Sequence, residues 1–116
     1  MSFKIPKSFQ LHGQTIEVVQ VDHIGSESGT LGEARIAKNQ VVLQNNASGF
    51  ARSETQIEQT FLHELVHFIL VHLGQNELCD EETFVDGFAH LLHQALGSMS
   101  YGPAKKAKIV RGKNGK

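Results

Sequence analysis

Residues 61–73, FLHELVHFILVHL, carry the most informative motif of the chain. Within them, residues 63–67 read HELVH, an H-E-x-x-H pattern. On an α-helix, positions i and i+4 lie about 40° apart around the axis and about 6 Å apart along it. Two imidazoles in that relation can reach one metal ion, and Glu64 lies near the same face, where it can act on a water molecule as a general base. The spacing therefore predicts a zinc site formed by His63 and His67.

Apolar residues cover nearly the whole circumference of this predicted helix, which is typical of a buried helix. An ionised Glu64 on such a helix is energetically costly unless it is paired or lies close to a metal. The alternative is a core helix whose few polar residues are satisfied locally and that binds no metal.

Length and composition limit the classes of protein to which this chain can belong. The 116 residues, with 40% hydrophobic and 20% charged residues, fit one small soluble domain. No run of 18 apolar residues is present, so no membrane span is predicted. The N-terminal sequence lacks an apolar signal core, so export is not indicated. The single cysteine, Cys79, excludes an internal disulfide and suits a reducing cytoplasm.

Charge is distributed unevenly along the chain. Residues 1–97 carry five basic residues and all twelve acidic ones, a net charge of −7, whereas residues 98–116 carry six basic residues and no acidic one. We therefore predict a domain over residues 1–97 and a basic, flexible tail over residues 98–116. The tail could contact nucleic acid, but six charges are a weak indication, and a solvated tail is the simpler interpretation.

Three segments before the motif are rich in β-forming residues. Residues 15–24, 30–37 and 40–44 are predicted strands, separated by turn-forming residues. Gly32, inside the second segment, would allow a bulge or a close approach of the backbone to another element. Residues 1–14 are expected to be irregular, with at most the start of a strand.

Two helices are predicted after the strands. Ser53 and Gln56 form a capping-box pattern at the start of the first helix, and Gly74 ends it. The second helix is expected to begin at Asp80 as N-cap and to continue to Leu96. Because strands are followed by helices, the expected fold class is α+β, with a small three-stranded antiparallel sheet packed on two helices.

A catalytic zinc site needs three protein ligands and an open position, so a third ligand is expected from the second helix. Glu82 and Asp86 are four residues apart and share one face. Two rivals exist: Glu81 points about 100° away from Glu82, and His90 lies one turn beyond Asp86. An acidic first turn is also common for helix-dipole reasons alone. Cys79 could cap the metal as a thiolate, although a plain linker cysteine is the simpler interpretation.

The combination of these patterns resembles a known family. Residues 82–86, ETFVD, are similar to the E-x-x-x-D of gluzincins, the thermolysin-like metallopeptidases. Residues 86–89, DGFA, match the D/N-x-F-A of ImmA-type proteins. With the H-E-x-x-H helix and the strands before it, residues 9–97 resemble small phage and prophage metallopeptidase-like proteins, relatives of the ImmA/IrrE-type zinc peptidases with a minimal zincin-like domain.

The resemblance implies a zinc-dependent metallopeptidase that hydrolyses peptide bonds of a protein or peptide substrate in the cytoplasm of a bacterial host. His63, His67 and Glu82 would bind Zn²⁺. Glu64 would be the catalytic base, and Asp86 would orient His63 through its second ring nitrogen. The third strand, which ends just before the helix, would offer an edge to an extended substrate.

Two other functions compete with the peptidase. One is a zinc-stabilised, non-catalytic module with a regulatory or binding role, and the other is a nucleic-acid binder in which the metal is incidental. Glu64 favours the enzyme, because a structural metal site needs no base. The sequence assigns no oxyanion-stabilising donor, which favours the module. The side chains considered for that donor are His72, His90, His93 and Tyr101.

Overall fold

The computed structural model describes residues 3–25 and 30–107, and these residues form a mixed α+β fold, as predicted. A 3-10 turn at Ile36–Lys38 joins the third and fourth strands. The elements, in chain order, are β1 (Ser8–Leu11), β2 (Gln14–Val21), β3 (Gly32–Arg35), β4 (Gln40–Gln44), β5 (Asn46–Ala47), β6 (Phe50–Ala51), α1 (Glu54–His72), α2 (Asn76–Cys79) and α3 (Glu82–Ser98).

The main sheet has four strands in the order β1-β2-β4-β3, so the predicted three-stranded antiparallel sheet is wrong in two respects. First, β1 pairs antiparallel with β2, in a segment that was expected to be irregular with at most the start of a strand. The turn between them has positive φ at both His12 and Gly13, the backbone twist that a two-residue hairpin favours. Second, β2 and β4 are parallel, while β3 and β4 are antiparallel. The short strands β5 and β6 form a separate hairpin in a segment where no strand was predicted.

β4 lies between β2 and β3 in the sheet. The expectation that this strand would offer an edge to an extended substrate is therefore wrong. Val41, Val42 and Leu43 are almost completely buried. A continuous apolar run is typical of a strand with neighbours on both sides and covered faces. The third predicted strand therefore offers no edge. On this side of the sheet the edge strand is β3, which lies against α1 through Gly32.

α1 begins with the predicted capping box. The Ser53 hydroxyl accepts from the Gln56 N–H, and the Gln56 side chain accepts from the Ser53 N–H. The helix ends at His72, and Gly74 follows with a φ of +73°. α1 packs against both the sheet and α3. The core shared by these elements includes Ile16, Leu43, Leu62, Phe68, Val85 and Ala89.

The linker between the long helices contains the short helix α2, and this changes the start of α3. Asp80 is the C-cap of α2 rather than the N-cap of α3. Glu81 is the N-cap residue, and its side chain makes no capping bond. α3 continues through Ser98, one residue past the predicted domain boundary. Residues 108–116 of the predicted flexible tail lie outside the described residues.

None of the helices in the described part of the chain has the length and hydrophobicity that a membrane crossing requires.

Candidate metal centre

Three ligand atoms converge where α1 faces the first turn of α3. His63 and His67 lie one turn apart on α1, and their Nε2 atoms are 3.2 Å apart. Glu82 Oε1 is 3.0 Å from His63 Nε2 and 3.3 Å from His67 Nε2. These three residues could together bind a metal ion.

The geometry and chemistry of this set fit a divalent metal. Zinc bonds of about 2.0–2.1 Å in a tetrahedron place neighbouring ligand atoms roughly 3.3 Å apart, close to the separations above. Two imidazole nitrogens and one carboxylate oxygen suit zinc and several other first-row divalent metals. The Glu82 side chain is 64% exposed, so the site is open on the side of α3.

The rival ligands lie outside the cluster. Among the described residues, the group close enough to share a metal contains neither Glu81 nor His90. His90 Nε2 instead lies 4.0 Å from Asp86 Oδ1. Asp86 is also 3.5 Å from His63 Nδ1, the ring nitrogen that does not face Glu82. This places the Asp86 carboxylate behind a candidate ligand, as the role predicted for it requires.

Cys79 contacts the other candidate ligand from behind. Its Sγ lies 3.1 Å from His67 Nδ1 and 3.7 Å from the His67 carbonyl oxygen. The thiol is therefore on the side of the ring opposite Nε2, and it neither caps the metal position nor stands apart as a plain linker residue.

Glu64 is buried beside this cluster, with 8% of its surface exposed. Burial raises the pKa of its carboxyl from 4.5 to about 7, and the negative charges of Glu82 and Glu33 add to the increase. A carboxylate whose pKa lies near neutrality can both accept and return a proton at that pH, which is what general base catalysis requires.

A groove of about 320 Å³ runs between β3 and the helices and reaches the candidate base. Its walls include Leu31 and Gly32 from the β3 edge, Thr60, His63 and Glu64 from α1, and His90 from α3. The groove is open to solvent, and it places the edge strand opposite the H-E-x-x-H face of α1.

Arg52, to which no sequence motif pointed, also lines this groove. Its guanidinium donates to the Gln44 carbonyl at 2.7 Å and to the Thr60 hydroxyl at 2.6 Å. A longer contact, 3.5 Å, reaches the Leu31 carbonyl. Arg52 therefore ties β4, the chain entering β3 and α1 together. A single arginine before a helix N-terminus carries no pattern from which this role could be predicted.

Of the four side chains considered as oxyanion donors, His90 is the one that lines the groove. His72 lies at the end of α1, where its Nδ1 is 3.0 Å from His12 Nδ1. His93 is buried in the core, 2.8 Å from Glu58 Oε1. Tyr101 follows α3 and is 85% exposed.

Comparison with known proteins adds no family assignment to this geometry. No protein-family model, curated protein or solved structure matches the chain. The chemistry of the site therefore rests on the residues and distances described above.

Proposed function

We propose that this protein is a zinc-dependent metallopeptidase that hydrolyses peptide bonds of a protein or peptide substrate, akin to the ImmA/IrrE-type zinc peptidases of phages and prophages. One observation carries the proposal. Glu64, a buried carboxyl with a pKa near 7, lines an open groove together with His63, one of the three residues of the candidate metal cluster. A purely structural metal site has no use for such a base.

The chain's own residues account for the proton transfers. His63, His67 and Glu82 would hold the zinc ion, which supplies Lewis acidity to polarise a carbonyl group and to acidify water. Glu64 would take the proton of the attacking water and deliver it to the amine that leaves. The raised pKa of Glu64 matches a reaction at neutral pH. Asp86 would hold His63 in the orientation that directs Nε2 to the metal.

The β3 edge supports an extended peptide as the substrate. The Gln44 N–H donates to the Leu31 carbonyl at 3.0 Å, and Glu33 pairs with Val42 in the same ladder. Because hydrogen bonding alternates along an antiparallel pair, the N–H and C=O groups of Gly32 and Ala34 point to the free edge. A peptide could add there as a further strand.

His90 is our candidate for the group that stabilises the developing oxyanion. It lines the same groove as Glu64, and a ring N–H of its imidazole can donate a hydrogen bond to such an oxyanion.

The decisive experiment separates metal binding from catalysis. We would measure zinc content and cleavage of a peptide library for His63→Ala, His67→Ala, Glu82→Ala and Glu64→Gln. The first three should lose zinc and activity. Glu64→Gln should keep zinc and lose at least about a hundredfold in kcat, the usual scale for general base catalysis. Glu81→Ala is the matched control, because this neighbouring acid lies outside the cluster, and it should keep both properties.

Two outcomes would contradict the proposal. Full zinc content in Glu82→Ala would show that Glu82 is not a metal ligand. Wild-type cleavage by Glu64→Gln would show that Glu64 is not the catalytic base. A wild-type protein that binds zinc but cleaves no peptide would instead support the alternative, a zinc-stabilised, non-catalytic binding module.

A further inference from the structure

We infer that Cys79 is a positioning residue for the metal site: its thiol fixes the orientation and the tautomer of His67, and so increases the affinity of the site for metal. The inference rests on the proposed function, because it assumes that His67 is a ligand. The inference concerns the contact between Cys79 and His67, however, and not the bonds to the metal. It can therefore be wrong even if the protein binds metal as proposed.

The two nitrogens of the His67 ring have different partners. Nε2 faces the cluster, 3.2 Å from His63 Nε2 and 3.3 Å from Glu82 Oε1. Nδ1 faces Cys79 Sγ at 3.1 Å. A neutral imidazole carries one ring proton, and the nitrogen that binds a metal must be the one without it. A partner that accepts from Nδ1–H therefore leaves Nε2 free for the metal.

The thiol can be that acceptor because its own proton has another partner. Sγ lies 3.7 Å from the backbone carbonyl oxygen of His67, within reach of a weak S–H···O bond. With the S–H directed at this carbonyl, the sulfur lone pairs are available to the Nδ1–H of the same residue. The thiol thus contacts His67 through both its ring and its backbone, which restrains the rotation of the ring.

The fold places Cys79 where this contact is required. It is the last residue of α2, its N–H donates to the Gln75 carbonyl at 3.0 Å, and its side chain packs against the core. Three residues later the chain supplies Glu82. The same short segment therefore delivers a ligand to one side of His67 and the thiol to the other. Within the described residues, Asp86 serves His63 in the corresponding position, and no carboxylate contacts His67 Nδ1.

The competing explanation for the position of Cys79 is a direct metal–thiolate bond, which predicts a different structure and a different spectrum. For Cys79 to bind the metal, the His67 ring would have to leave the space between them. A directly bound thiolate would also give the cobalt-substituted protein an intense sulfur-to-metal charge-transfer band. The hydrogen-bond account predicts that this band is absent.

The test compares metal affinity in Cys79→Ser, Cys79→Ala and Cys79→Val by competition with a chromophoric chelator, using zinc as the probe. Cys79→Ser retains an acceptor and should stay within about threefold of the wild type. Cys79→Ala and Cys79→Val should each weaken binding about tenfold, the lower end of the effect for such outer partners. Valine fills the space of the thiol with apolar atoms and alanine leaves that space empty, so a loss of affinity that both variants share reports the hydrogen bond rather than packing. Histidine ¹⁵N NMR on the metal-free wild type should show His67 protonated at Nδ1, and this signature should be lost with valine and kept with serine.

Each outcome decides the question. Equal zinc affinity in the wild type and Cys79→Val, with an unchanged His67 tautomer, would overturn the inference and leave the proposed function standing. Equal losses in Cys79→Ser and Cys79→Val, accompanied by a cobalt charge-transfer band, would overturn it in favour of direct ligation. No zinc binding by the wild type would overturn both the inference and the proposed function.

Discussion

A Cβ atom added to Gly32 would lie 3.0 Å from Glu64 Oε2 and would overlap Thr60 Cγ2. The φ angle of Gly32 is not positive, so the glycine is required by the close approach of β3 to α1 rather than by a turn. This contact brings the edge strand onto the face of α1 that carries the candidate base, and it contributes to the burial that raises the pKa of Glu64.

The first prediction concerns Gly32→Ala. The added methyl group should destabilise the protein by about 1–3 kcal/mol, the usual cost of overpacking a tight contact, and it should displace Glu64 from its position. Thr60→Ser removes the Cγ2 methyl group and keeps the hydroxyl that accepts from Arg52. Urea unfolding should therefore show that the double variant recovers at least half of the lost free energy of unfolding.

Thr60→Ser alone is the control for this pair and should be close to the wild type in stability. An equal loss of stability in Gly32→Ala with and without Thr60→Ser would show that the steric argument is wrong. Because the 3.0 Å contact with Glu64 would persist in the double variant, we expect the proposed peptidase activity to be lower in this variant than in the wild type.

The second prediction concerns the pH dependence of stability, because the raised pKa of Glu64 determines whether its contribution to stability rises or falls with pH. Its pKa is about 7 in the folded protein and 4.5 ordinarily. A carboxyl whose pKa rises on folding stabilises the folded state fully below its ordinary pKa, and this contribution is lost as the pH rises through the folded value. The loss for metal-free protein should be on the order of 3 kcal/mol between pH 4.5 and pH 7.5.

Glu64→Gln isolates this contribution, because glutamine does not titrate. Urea unfolding of chelator-treated protein should show the wild type losing stability relative to Glu64→Gln as the pH rises. Other titrating groups are present in both proteins and largely cancel in the difference. Parallel stability curves for the two proteins would show that Glu64 has an ordinary pKa in the folded state.

What could be predicted from the sequence was mostly local. The relation of His63 to His67 follows from helix periodicity, and the structure shows both rings on one face. The Ser53–Gln56 capping box spans three residues and is confirmed. Glu82 was expected from a resemblance rather than from periodicity, and the structure places its carboxylate against both rings.

What could not be predicted depends on contacts between segments that are far apart in the sequence. The parallel pairing of β2 with β4 skips β3, which lies between them in the chain. The sequence does contain local signs of two features: the continuous apolar run of β4 is typical of an interior strand, and Gly13 is typical of a hairpin turn. Neither sign identifies the strands that pair. The contact of Cys79 with His67 exists because α2 folds back on α1, and no spacing rule connects these two positions.

The third prediction concerns the buried pair of Glu58 and His93, which links α1 to α3 and is not part of the candidate metal cluster. Their side chains are 2.8 Å apart and almost completely buried, and the ring of Phe3 packs edge-on against His93. Removing one partner leaves the other buried without its hydrogen bond, so Glu58→Leu and His93→Leu should each lower the free energy of unfolding in urea by about 1–3 kcal/mol.

The double variant Glu58→Leu/His93→Leu should be much more stable than the sum of the two single losses implies, because two apolar side chains leave no polar group uncompensated. A double-mutant cycle measures this difference, and strictly additive losses would contradict it. Zinc affinity serves as the control, since neither residue belongs to the cluster of His63, His67 and Glu82. An unchanged affinity in the double variant would show that the pair stabilises the helix packing and does not tune the metal site.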